Sequence, residues 1–319
     1  LELNLNKLKE LLYENQAIRT KIQQDYGFDR DPKNIDEFSR LLISSLNQPV
    51  RDINREISNS ELFEAAVKSL GSNSRNWVTF ISKEESLRTQ LFNYDPLKTY
   101  ENSNSLVNDL RPFFPGQSCS NDVNAVLKWA KKLSNIENYY SEYIKQVMNG
   151  FNKLHQNKFN VEIDEKNLFI CIAGFFANPP SKWEGEEFLS CIDLHRDFAV
   201  LKFDGMGYPL TSEFLRNLGW NGFKPDRHIK RLFDNWLDVE NILPVSEIKF
   251  LLDINGRKNK DLIDYIKYSL IGHKISPKNI SLSEVDNFVW AVGAYVIKKG
   301  KESNYDSDVL FRIPTISNT

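Results

Sequence analysis

LKFDGMGYPLTSEFLRNLGWNGFKPDRHIKRLFDNW, residues 201–236, decides how the rest of the chain is read. Gly205 and Gly207 interrupt it just after Phe203-Asp204. Glycine permits positive φ and close backbone approach, which a tight turn needs. Pro209 follows at a natural first helical position. Leu210, Phe214, Leu215 and Leu218 then recur at helical spacing, and Gly219 suits the stop. Upstream, Phe188, Leu189, Ile192, Phe198 and Leu201 mark the apolar side of an incoming helix. The stretch predicts helix, Gly-x-Gly turn, helix. Backbone N–H groups at such a turn and at the second helix's start suit a phosphate, although an ordinary αα-corner carries the same pattern.

The second half adds charge and one carboxylate. Pro225 is placed to open a third helix whose buried face carries Ile229, Leu232, Phe233, Trp236 and Leu237. Asp226 is then expected in the first turn, where the positive end of the helix dipole suits a negative charge. A plain capping acid has the same signature. Arg216, Lys224, Arg227, Lys230 and Arg231 surround that one acid. Such a cluster reads as a phosphate-binding face or as a solvated helix face. Tyr208, Trp220 and Phe223 are candidates to stack on a base or wedge beside it, core packing being their commoner fate.

Taken together, the segment resembles the helix–hairpin–helix superfamily of DNA base-excision glycosylases. That family's hairpin reads roughly apolar-x-Gly-x-Gly. An aspartate follows about 20 residues later at the start of the next helix, often as Val-Asp-x-His-x-x-Arg. Here Gly205-Met-Gly207 matches the hairpin, and Asp226, His228 and Arg231 match the aspartate segment in register. The close match covers about 36 of 319 residues. The resemblance implies double-stranded DNA as partner, Asp226 as the catalytic carboxylate, and Gly205, Gly207, Lys224, Arg227, His228, Lys230 and Arg231 as DNA-contacting residues. It departs from the family in two places. Pro209 stands where bifunctional members carry a Schiff-base lysine, which implies hydrolysis of the N-glycosidic bond without imine chemistry. The cysteines that hold an iron–sulfur cluster in some members do not follow the aspartate, so no cofactor is expected. A non-catalytic DNA-binding module and a helical protein-interaction module are the alternative readings.

The remaining sequence sets bounds. The chain has 319 residues, 41% hydrophobic and 26% charged, with a net charge of −2. This is ordinary for a soluble protein and argues against a broad basic footprint. No apolar run reaches the roughly 18 residues of a membrane span, and LELNLNKLKE lacks the pattern of a secretory signal. Three scattered cysteines, Cys119, Cys171 and Cys191, suggest a reducing, cytoplasmic setting. The four histidines have no zinc-ligand spacing, so no metal site is expected.

Helical stripes dominate elsewhere. Leu5, Leu8, Leu11 and Leu12 form one; Leu62, Phe63, Ala66 and Leu70 form another, with Ser60 as cap and Gly71 as stop. Val123, Val126, Leu127, Ala130 and Leu133 form a third, and Leu282–Lys299 a last long helix. Leu168–Ala177 fits a buried helix or strand, and Lys158–Ile163 (KFNVEI) a short strand. The predicted class is mainly α: a multi-helix bundle with a helix–hairpin–helix motif. Arg111–Ser120 is the boundary between an N-terminal helical region, 1–115, and a glycosylase-like domain, 116–319. A second break is read at Asn178-Pro-Pro-Ser.

Overall fold

The computed structural model describes residues 2–46, 49, 52, 55–73, 75, 77–179, 191, 198–237, 260–297 and 311–312. It is mainly helical, as the stripes predict. Among the described residues the one β pairing joins Glu2–Leu3 to Phe311–Arg312, antiparallel. The chain divides into two units. One comprises Leu1–Gln48, Asn221–Phe250 and Ile263–Thr319; the other comprises Pro49–Trp220 and Leu251–Leu262. The Arg111–Ser120 stretch lies inside the second unit, and the Gly-x-Gly turn and Asp226 fall in different units.

In the first unit, α1 (Leu5–Tyr13) buries Leu5, Leu8 and Leu12 on one face. Asparagines start the next two helices. Asn15 accepts from the Ala17 and Ile18 N–H groups at the head of α2 (Gln16–Tyr26). Asn34 accepts from Glu37 N–H at the head of α3 (Ile35–Ser45). Each such cap is worth about 1 kcal/mol, whereas burying one Leu or Phe side chain contributes about 1.5–3 kcal/mol. The caps therefore set where helices begin, and the apolar faces decide that they exist. Helix α1 packs on both α2 and α3.

The second unit opens with α4 (Asn59–Ser69). Its cap is Ser58 rather than Ser60: Ser58 exchanges hydrogen bonds with Glu61 in a capping box. Ser58 has a glutamate three residues on, and Ser60 has Phe63 there. Gly71 lies within a 3₁₀ turn, Leu70–Ser72, that extends the helix. Short helices follow: α5 (Trp77–Ile81), α6 (Glu84–Gln90), α7 (Pro96–Glu101) and α8 (Ser103–Asp109). Helix α9 (Cys119–Ser134) turns Val123, Val126, Trp129, Ala130 and Leu133 inward.

A π-helical turn, Tyr140–Ile144, leads into α10 (Lys145–Phe159). This overturns the strand expected at 158–163. Val147, Met148, Phe151 and Leu154 bury one helical face, Lys158 and Phe159 finish the helix, and Asn160 ends it at φ 56°. Leu168–Ala177 is helical and wholly buried within α11 (Glu165–Ala177). Helix α12 (Tyr208–Asn217) packs against α4 and α11. Asn217 Nδ2 donates to the Ala65 carbonyl at 3.2 Å.

The first unit resumes with α13 (Arg227–Trp236), with α14 (Lys260–Ile275) from Ile263 onward, and with α15 (Leu282–Ala291). The last expected helix thus changes winding at its end, into a π-helical turn at Val292–Val296. Its remaining two positions, 298–299, lie outside the described residues, as do Phe188, Leu189 and Ile192 of the incoming helix and residues 180–181 of the second break. Phe198–Leu201 is a 3₁₀ turn. Among the described residues no helix is long and apolar enough to cross a membrane.

Candidate functional site

The Gly-x-Gly stretch owes its shape to what is buried on either side of it. Phe203 lies among Trp129, Tyr139 and Phe214, with ring centroids 6.2, 5.4 and 5.2 Å away. Two polar groups then fix the approaching backbone. Tyr139 Oη donates to the Leu201 carbonyl at 2.7 Å, and Trp129 Nε1 to the Asp204 carbonyl at 2.9 Å. Met206 is buried too, and its N–H closes a four-residue turn onto the Phe203 carbonyl at 3.1 Å. The third position of that turn is Gly205, at φ 81°, a region that side chains disfavour.

Gly207 differs. It caps α12 in ordinary extended backbone, φ −89°, and a Cβ there would meet no atom within 4 Å. Both glycines are exposed. The turn therefore needs Gly205 for its own conformation, while at Gly207 the missing side chain only leaves the surface open.

In the first unit, Asp226 is the N-cap of α13, one residue earlier in the helix than the first-turn position expected, and Pro225 precedes the helix. Its Oδ1 accepts from His228 N–H at 2.8 Å and Ile229 N–H at 3.1 Å. Its Oδ2 accepts from the Trp290 indole N–H at 2.8 Å. The carboxylate is half-buried, and all three donors are fixed in secondary structure.

The Asp-x-His-x-x-Arg register has a local explanation. All three side chains reach the segment formed by α15 and its π turn. His228 Nδ1 lies 3.4 Å from the Gly293 carbonyl, and its ring stands edge-on to Trp290 at 5.6 Å. Arg231 donates to the Gly293 carbonyl at 2.6 Å and to the Ile297 carbonyl at 3.1 Å. A Cβ at Gly293 would lie 3.2 Å from His228 Cβ and 3.3 Å from the His228 carbonyl, so glycine is what lets α13 come this near. Burial pushes the His228 imidazole below its usual pKa, and Asp226 opposes that shift. The loop before the helix is held as well, with Lys224 N–H donating to buried Asp286 at 2.6 Å.

The expected basic cluster divides. Arg216 is fully buried in the second unit beside Glu213, 3.7 Å away, because it lies on the inward face of α12. Arg231 is committed to backbone carbonyls. Arg227 is exposed, Lys224 is half-buried, and Lys230 is half-buried with its ammonium 5.5 Å from the Tyr268 ring. Of the aromatic candidates, Trp220 is buried beside Phe169, Phe223 is buried against Phe233, and Tyr208 is half-buried at the head of α12.

Trp290, Gly293 and Asp286 escape a reading of residues 201–236 alone. Trp290 left a trace, as the one tryptophan in the last helical stretch that falls off its apolar stripe, and Gly293 is a glycine within a helical pattern. Among the described residues no group of three His, Cys, Asp or Glu side chains is placed to hold a metal. Beside Gly205, within the second unit, lies an open cleft of about 500 Å³ bordered by α7, α8 and α9. No protein-family model matches the chain, and searches of curated proteins and of solved structures find no match either.

Proposed function

We propose that the protein is a monofunctional DNA N-glycosylase, which extrudes a damaged or modified base and hydrolyses its bond to deoxyribose. The observation that carries this reading is the setting of Asp226: a carboxylate at the positive end of α13, held in one orientation by His228 N–H, Ile229 N–H and the Trp290 indole. As the N-glycosidic bond breaks, its electron pair leaves with the base and positive charge builds on the sugar. A fixed carboxylate stabilises that charge without reorganising. Water then adds to the sugar carbon and gives up a proton, for which Asp226 is the acceptor; the departing base takes up a proton. The products are a free base and an abasic sugar.

Within the second unit, the exposed backbone at Gly205 and Gly207 is open to a phosphate contact of its own, one that reads no sequence. Arg227 and Lys230 add charge. Pro209, which has no amine, excludes an imine at that position. The base must leave the stack before Asp226 reaches its sugar. Duplexes carrying alkylated, oxidised or deaminated bases, incubated with the protein and probed for abasic sites, test the reading. Abasic sites that form with the natural protein and not with Asp226→Asn support it.

One observation favours a second reading, a DNA-binding module without catalysis. Both oxygens of Asp226 already serve structural partners, Oδ1 as the cap of α13 and Oδ2 as acceptor of the Trp290 indole N–H. That reading predicts salt-dependent DNA binding, no abasic product from any duplex, and equal DNA affinity in Asp226→Asn.

A further inference from the structure

The cleft beside Gly205 has a chemical character that phosphate contact at the turn does not use. One face of α9 forms its floor. Asn121, Asn124, Lys128 and Lys131 recur at helical spacing along that face, and all four are exposed. The opposite face of the same helix carries Val123, Val126, Trp129 and Leu133 into the core. The outward stripe is thus two amides followed by two ammonium groups on a rigid element. Tyr100, at the end of α7, provides an aromatic wall, and the Lys131 ammonium stands 5.7 Å from its ring centroid. Gly205 closes one end, and Asp204 beside it pairs with Lys128 at 3.7 Å. Both partners of that pair are largely exposed, so it is weak and screened by salt.

These groups complement the parts of a nucleotide. Side-chain amides pair with base edges, an aromatic ring stacks on a base face, and lysines neutralise phosphate. The cleft volume, about 500 Å³, is in the range of small-molecule and cofactor sites. We propose that this cleft is a nucleotide-binding subsite: a base stacks on Tyr100 within reach of Asn121 and Asn124, while Lys128 and Lys131 hold the phosphate. The nucleotide belongs either to a DNA strand passing the Gly205 turn or to a free mononucleotide. The first source rests on the glycosylase reading, and the second does not.

The test uses the full chain, a short fluorescent single-stranded oligodeoxynucleotide and deoxyadenosine monophosphate. For the strand, Lys128→Ala/Lys131→Ala is expected to flatten the salt dependence of binding by about 1.4, two contacts at about 0.7 each. Tyr100→Leu is expected to weaken binding about tenfold and leave the salt dependence in place. If the strand ignores these changes while the mononucleotide moves the Asn121 and Asn124 side-chain amide resonances and Tyr100→Leu abolishes that movement, the free nucleotide is the source. Strand and mononucleotide binding that both ignore all three substitutions overturns the subsite, as does a protein that binds neither. Excision that depends on Asp226 alongside an indifferent cleft removes only the subsite. Cleft-dependent strand binding with no excision from any duplex removes only the glycosylase reading.

Discussion

Trp290 Nε1 donates to Asp226 Oδ2 at 2.8 Å, while Oδ1 of the same carboxylate caps α13. The two oxygens therefore serve different partners, and an asparagine at this position has only one acceptor. If its oxygen caps the helix, its amide N–H groups face the indole N–H, donor against donor. Asp226→Asn should then destabilise the first unit more in the natural protein than in Trp290→Phe, where the opposing donor is gone. A double-mutant cycle by urea unfolding should give a coupling of about 1–2 kcal/mol. Additive single effects would mean that the indole bond contributes nothing.

The two glycines of the turn should separate cleanly. Gly205 is held at φ 81°, so Gly205→Ala should cost about 1–2 kcal/mol of stability. Gly207 has ordinary φ and open space at its Cβ position, so Gly207→Ala should stay within about 0.5 kcal/mol. A phosphate approaching that backbone would still meet the new methyl. Thermal melts paired with DNA titrations should therefore show Gly207→Ala folding normally and binding DNA several-fold more weakly. Unchanged affinity would remove Gly207 from the phosphate contact.

Gly293 is where α13 meets the π turn. Its added Cβ would press on the His228 carbonyl at 3.3 Å, and backbone does not move aside as a flexible side chain does. Gly293→Ala should cost about 1–3 kcal/mol. It should also weaken the contacts of Arg231 and His228 with the Gly293 carbonyl. The Trp290 indole N–H resonance provides a local readout and should shift. A variant as stable as the natural protein, with that resonance in place, would contradict the close approach.

His228 gives the first unit a pH dependence of known sign. Burial lowers its pKa from the ordinary 6.5, against the pull of Asp226 and with Arg227 and Arg231 adding to the fall. The unfolded chain therefore takes up this proton more readily than the folded one. The neutral ring's contribution is complete above about pH 6.5 and is lost as pH falls through that value toward the folded pKa. Urea midpoints at about pH 7.5 and 5.5 should differ more for the natural protein than for His228→Gln. The same difference in both would place the titrating group elsewhere.

What was legible in the sequence was local. Leucine spacing marked α1, valine spacing marked α9, and Asp226 could be placed at the start of a helix because Pro225 and the apolar stripe of α13 bracket it. The errors were local as well where two patterns compete. Ser60 reads as the cap until the glutamate three residues after Ser58 is counted, and the alternating KFNVEI straddles the end of α10, with Phe159 and Val161 exposed. What stayed hidden is non-local. Arg216 and Arg231 count as surface charge in any one-dimensional tally, yet one is buried beside Glu213 and the other holds the Gly293 and Ile297 carbonyls. Trp290 stands 64 positions from Asp226, and no periodicity connects them.

Single-turnover base excision by the natural protein, Asp226→Asn and Trp290→Phe on one lesion-bearing duplex decides whether Asp226 is the catalytic carboxylate. Asp226→Asn should bind that duplex normally and lose at least about a hundredfold in rate. Trp290→Phe should lose about tenfold, the equivalent of one hydrogen bond to a charged group. Excision by Asp226→Asn at the natural rate would contradict the assignment of Asp226 as the catalytic carboxylate.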